Sequence, residues 1–263
     1  MKRRMMLYFG SFNPIHKGHI ALAEWVLQQG LCDEMALIIS PQSPYKKAAD
    51  LAPEMQRFEM AELACRASAY PDRIRPSVIE FLLPKPSYTI DTLRHLSANY
   101  GEACEFSILM GGDQLERLDG WKSYDEILRY PIYVYPRRGS AVPASLTGRI
   151  TLLEEAPLLD ISATEVRRRI AQGENADELL HPDVAAYIRH EGIWHAASVA
   201  PESVEIGRLL EAGREHYRNN RWGAALNEFN RVLALDANHT EARQYVEMIQ
   251  EILAFRYTDI YNP

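Results

Sequence analysis

The stretch that most constrains this chain lies between Met5 and Leu27. An apolar, strand-forming run from Met5 to Phe9 meets Gly10 and then Pro14, after which Ile20, Leu22, Ala23, Val26 and Leu27 recur at helical spacing. This reads as strand, tight loop and helix. His16 and His19 fall at the turn into that helix, where the first backbone N–H groups lack intrahelical partners and the helix dipole favours anions. A phosphate site fits there, but so does a pair of satisfied surface histidines beside a helix cap. The loop carries neither a GxxxxGK[ST] run nor GxGxxG, so it is not one of those two phosphate loops.

The same alternation continues downstream. EMALIIS (34 to 40) predicts a second strand, followed by the loop SPQSPYKK (40 to 47) and a helix in LAPEMQRFEMAELACRA (51 to 67). RIRPSVIEF (73 to 81) predicts an edge strand, because Pro76 cannot donate a ladder bond. YTIDTLRHLSANY reads as a helix, FSILMG (106 to 111) as a strand, and Gln114 to about Leu128 as helical. PIYVYPRR ends in two arginines, and a last short strand is expected around Ile150 to Leu153. In ISATEVRRRIAQG, Ser162 precedes a helix with Glu165 three positions on, the capping-box pattern. Another helix is expected from about Pro182 to Glu191. Strands alternating with helices of this length predict a parallel sheet covered on both faces, with ligand loops at the carboxyl ends of the strands. Four marked loops follow strand candidates: 10 to 19, 40 to 47, 82 to 91 and 111 to 121. Their placement predicts one composite pocket.

Composition narrows the class. The chain of 263 residues is long enough for two domains, and its 47% hydrophobic and 25% charged residues are ordinary for a soluble protein. A net charge of -7 argues against polymeric nucleic acid while leaving room for a small anionic substrate in a local positive pocket. Cys32, Cys65 and Cys104 are widely spaced and odd in number, so buried free thiols are expected. MKRRMMLYF is too short in its apolar part for a signal peptide or a membrane span, which makes the cytoplasm the expected compartment.

GSFNPIHKGH resembles the signature of the nucleotidylyltransferase superfamily, and KPSYTIDTL (85 to 93), GGDQLERLDGW (111 to 121) and ISATEVR narrow the resemblance to bacterial nicotinate-nucleotide adenylyltransferases. It covers roughly residues 4 to 195. The resemblance implies an α/β, Rossmann-like parallel sheet with helices on both faces, and transfer of the adenylyl group of ATP to nicotinate mononucleotide with Mg²⁺ accompanying ATP. His16, His19 and Arg167 would carry catalysis by binding phosphate. Gly10, Ser11, Phe12, Gly111, Asp113, Ile161, Ser162 and Thr164 would join them around ATP. Asn13, Lys46, Ser87, Tyr88, Thr89, Trp121 and Arg137 would face the mononucleotide. Tyr45 stands where the family usually has histidine, and Phe9 where it often has glycine. Structural readings compete: Ser87 and Ser162 as helix caps, Asp113 as a turn residue, Trp121 as a packing residue. Nicotinamide mononucleotide or phosphopantetheine are alternative partners, and a non-catalytic nucleotide-binding scaffold is the alternative class.

Residues 1 to 195 are therefore expected to form the catalytic domain, 196 to 202 a linker and 203 to 263 an all-α module. Residues 206 to 239 resemble one tetratricopeptide repeat through Gly213, Tyr217, Trp222, Ala225, Phe229, Leu233 and Leu235. Ala242, Val246, Ile249 and Leu253 predict a third, covering helix, with Tyr245 a weak anchor. One repeat is too short for a solenoid, so the module is expected to dock on the catalytic domain, form a homo-oligomer contact or bind a protein partner.

Overall fold

The computed structural model describes residues 1–41, 51–84, 86–137, 142–157, 160–194 and 202–257. Six strands, β1 (Arg3–Gly10), β2 (Glu34–Ile39), β3 (Ile74–Ser77), β4 (Cys104–Gly111), β5 (Ile132–Tyr135) and β6 (Thr151–Leu152), form one parallel sheet in the order β3-β2-β1-β4-β5-β6. The chain reverses direction of growth between β1 and β4, the switch point at which such sheets bind ligands. Helices α1 (Lys17–Gln28), α2 (Glu54–Arg66), α3 (Thr89–Tyr100), α4 (Tyr124–Ile127), α5 (Ala163–Ala171) and α6 (Pro182–Glu191) connect and cover it, as expected.

Strand alternation sorts the core onto two faces. Met6, Tyr8, Met35, Leu37 and Ile39 pack under α1, α2 and α6, while Met5, Leu7, Ala36 and Ile38 pack against α3 and the β4–β5 connection. Pro76 lies on the edge strand β3, and the opposite edge, β6, is two exposed residues long. Cys32, Cys65 and Cys104 are buried and in no disulfide.

Two elements differ from expectation. The strand through residues 73 to 81 ends at Ser77 and turns into a 3₁₀ segment, Ile79–Phe81. The helix from Gln114 to Leu128 is instead a 3₁₀ run, Gly112–Gly120, then a break, then the single turn of α4. Gly120 weakens the helix, and Ser123 in the left-handed region at φ 55° ends its continuity.

Helices α7 (Glu202–Arg218), α8 (Trp222–Leu235) and α9 (Thr240–Tyr257) follow. They dock on α2: Leu209, Ala225, Leu226, Phe229 and Val232 belong to the same apolar cluster as Met55 and Phe58. Gly213 is required where α7 meets α8, because a Cβ there would lie 2.8 Å from the Phe229 ring. Leu235, expected as a packing residue, is 41% exposed at the end of α8. Tyr245, read as a weak anchor, instead stacks on Phe229 with centroids 4.4 Å apart and meets Tyr217 edge-on at 5.0 Å. Phe229→Ala should therefore cost about 3–5 kcal/mol, measured by urea unfolding, through lost burial and a residual cavity; a loss below about 1 kcal/mol would show that the module does not share the core.

Candidate active site

The loops after β1 and β2 converge because α2 sends a guanidinium between them. Arg57 is 1% exposed and donates from Nη1 to the carbonyls of Ser11 and Ser40, both at 2.7 Å, from Nη2 to Pro41 at 2.9 Å and from Nε to Ala52 at 2.9 Å. Burial lowers its pKa to about 10, with Glu54 opposing, so it is a cation at neutral pH. Asn13 completes the clasp: its Oδ1 accepts from the Ala52 amide at 2.9 Å, and its carbonyl accepts from Arg167 Nη1 at 2.7 Å. This engages Asn13 in holding the loop.

At the start of α1 the His16 and His19 rings stack with centroids 3.6 Å apart. Burial, then the Arg137 charge, lowers the His16 pKa to about 3, leaving the ring neutral at physiological pH. His16 Nδ1 is buried with no hydrogen-bond partner among the described residues. His19 Nδ1 accepts from the His16 amide at 3.2 Å, which in the neutral ring puts its proton on Nε2. Phe12 is 3% exposed and packs its ring 5.0 Å from His19, so it shapes the histidine's seat from inside the core. Gly10 admits that ring: a Cβ at Gly10 would approach Phe12 to 2.9 Å.

A pocket of about 290 Å³ opens beside this loop at the switch point, walled by Gly10, Ser11, Ser87, Tyr88, Thr89, Asp113 and Trp121, all singled out from sequence. It is also lined by Ser40, Glu80, Gln114, Arg117 and Lys122. Lys122 lies 4.6 Å over the Tyr88 ring and bonds Asp91 at 2.7 Å, fixing one wall. Glu80 is 2% exposed and accepts from Thr92 Oγ1 at 3.0 Å. Burial pushes its carboxyl up, opposed by the hydroxyls of Ser40, Thr92 and Ser87. At Gly111 a Cβ would come within 2.4 Å of Asp113 Oδ1, so only glycine lets that carboxylate turn back over β4.

Arg137 does not line this pocket. Expected on the mononucleotide side, it lies with Nε 3.8 Å from Asp113 and its guanidinium 5.3 Å from the Tyr135 ring, on the histidine side where its charge reaches His16. Its position at the end of β5, two strands beyond β1, accounts for the difference. On α5, Ser162 Oγ accepts from the Glu165 amide at 3.1 Å, but the Glu165 carboxylate pairs with Arg168 and Arg169. Only half of the expected capping box forms. Thr164 Oγ1 accepts from Arg167 at 3.4 Å, and Ile161 packs against the core. Lys46 and its neighbours Tyr45 and Lys47 lie outside the described residues.

Sequence reasoning missed Arg57 and Glu80. Glu80 sits inside a short apolar run, Val78 to Phe81, and that placement was the available signal, whereas Arg57 stands between Gln56 and Phe58 with no such mark.

A 3-2-1-4-5-6 parallel sheet with a polar pocket at its switch point defines a nucleotide-binding protein of the doubly wound class. The family model described as Cytidylyltransferase-like matches residues 7–169. A Flavobacterium johnsoniae protein named "Probable nicotinate-nucleotide adenylyltransferase" is 39% identical over 192 residues, covering 72% of this chain and 97% of the relative. One of the same name from Bacteroides fragilis is 38% identical over 184 residues, covering 70% of this chain and 90% of the relative. Among solved structures, the Plasmodium falciparum nicotinic acid mononucleotide adenylyltransferase complexed with NaAD superposes with a TM-score of 0.63 at 16% identity, covering 73% of this chain and 97% of that one, a likeness of fold. The chain belongs to the cytidylyltransferase-like family, among its nicotinate-nucleotide adenylyltransferases.

Proposed function

We infer that the chain performs its family's reaction with the groups gathered at the switch point. It transfers the adenylyl group of ATP to nicotinate mononucleotide, forming nicotinate adenine dinucleotide and pyrophosphate in NAD biosynthesis. The observation that carries the reading is the meeting of the histidine loop with the Ser87 to Thr89 segment and Trp121 around one pocket.

An ionised phosphate of nicotinate mononucleotide attacks the α-phosphorus of ATP, so the demand on the protein is alignment and stabilisation of phosphate charge, with no strong base. His16, as a neutral ring, and His19 donate N–H groups to the triphosphate, and Arg167 and Arg137 supply cationic charge nearby. Trp121 stacks on the electron-poor pyridine ring, while Ser87, Tyr88 and Thr89 face its carboxylate or ribose. Gly111 and Asp113 lie toward the adenosine.

Among the described residues no group of three or more His, Cys, Asp or Glu is placed to hold a metal. A Mg²⁺ brought in with ATP would supply charge neutralisation at the phosphates that His16, His19 and Arg167 are proposed to bind. No helix of the described residues is long and apolar enough to cross a membrane. The substrates are dissolved metabolites, and we place the enzyme in the cytoplasm with them.

The test is product formation from ATP, Mg²⁺ and each of nicotinate mononucleotide, nicotinamide mononucleotide and phosphopantetheine, followed by mass detection and pyrophosphate release. Nicotinate mononucleotide should be used best, and Trp121→Ala should raise its KM roughly 10-fold, the worth of one aromatic stacking contact. Preference for another partner would overturn the pocket assignment.

A further inference from the structure

We propose that the C-terminal helices are a positioning element of the active site, acting through Asn227 on the helix that carries Arg57. Helix α2 begins at Pro53, which has no side-chain cap to offer, and leaves the amide of Gln56 as one of its unsatisfied first-turn donors. That amide donates to Asn227 Oδ1 of α8 at 3.1 Å, and Asn227 is 1% exposed. The cap of α2 thus comes from 171 residues further along the chain.

A second contact of α2 with α8 is steric. Glu59, one turn along α2, points at the first turn of α8, where a Cβ on Gly223 would lie 2.1 Å from its Oε1. Glu59 Oε2 accepts from Tyr187 of α6 at 2.5 Å. The Gln56–Asn227 hydrogen bond, and the close packing of a Glu59 side chain tied to α6 against the first turn of α8, therefore fix the rotation and axial position of α2. Arg57 lies between Gln56 and Glu59, and its guanidinium sets the separation of Ser11 from Ser40, both of which line the switch-point pocket. A slip of α2 by a fraction of a turn would carry that clasp with it.

This rests on the reaction inferred above, and the experiment separates the two. In the full-length chain, Asn227→Leu keeps the branched shape and removes the acceptor, Asn227→Asp keeps an acceptor, and Asn227→Ser serves if the larger leucine variant does not fold. The leucine variant should raise the KM for nicotinate mononucleotide about 3- to 10-fold, the worth of one lost hydrogen bond, with kcat within about threefold, while the aspartate variant returns KM to within about twofold of the parent. Hydrogen exchange of the substrate-free protein should accelerate in peptides containing Ser11 and Ser40. A lowered melting temperature with parental KM, or unchanged exchange at those loops, would overturn the proposal and leave the module a stabiliser. Exchange is read without substrate, so a parent that makes no product would sink the reaction and leave this test standing.

Discussion

His16→Ala should lower kcat by about 10²–10³-fold while leaving the KM for nicotinate mononucleotide within about threefold, because the lost group is a preorganised donor to charge that develops at phosphorus. The ring is buried, stacked on His19 and absent from the walls of the switch-point pocket. With its pKa lowered to about 3 by burial and by Arg137, His16 keeps one protonation state from pH 5 to 8. The kcat profile should therefore show no limb near pH 6.5 that His16→Ala abolishes, and finding one would contradict the neutral-donor role. Stability follows the same linkage. Unfolded His16 takes up a proton near pH 6.5 and the folded ring only near 3, so the unfolded state binds more protons between those values, and stability falls as pH drops through that window. His16→Ala should flatten the slope there, as read by urea midpoints against pH.

The largest loss of stability in the catalytic domain is expected from Arg57→Met, at about 3–5 kcal/mol. Methionine fills much of the volume but leaves the carbonyls of Ser11, Ser40, Pro41 and Ala52 without the donors that now satisfy them. Arg57→Lys should recover only part, since one ammonium cannot reproduce a planar fork that reaches two loops at once. Urea unfolding with an unchanged m-value would measure the loss, and a value under about 1 kcal/mol would mean that the loops hold each other without the clasp.

What could be read from sequence follows from how far each signal travels along the chain. Strands β1, β2 and β4 are buried on both faces and so appear as continuous apolar runs, and the His16–His19 turn is marked by residues a few positions apart. The pocket's Ser87 to Thr89 segment and Trp121 were legible only because their motifs resemble a family's. The partners of Asn13 were less accessible, because its side chain answers to Ala52 and its carbonyl to Arg167, 154 residues away. The same holds for Asn227, which in sequence is one polar residue on a helix. Arg57 has helical neighbours on both sides, and nothing local says that its face is the buried one. Between Gln114 and Leu128 the composition favours helix, and the backbone at Ser123 overrides it.

The two margins of the sheet bear on how the molecule meets others of its kind. β3 is four residues long and carries a proline that offers no amide, and β6 is two residues long. Neither side presents an extended row of unpaired backbone groups, so strand-to-strand fusion of copies, the commonest route from a half-built sheet to a fibre, has little to grip.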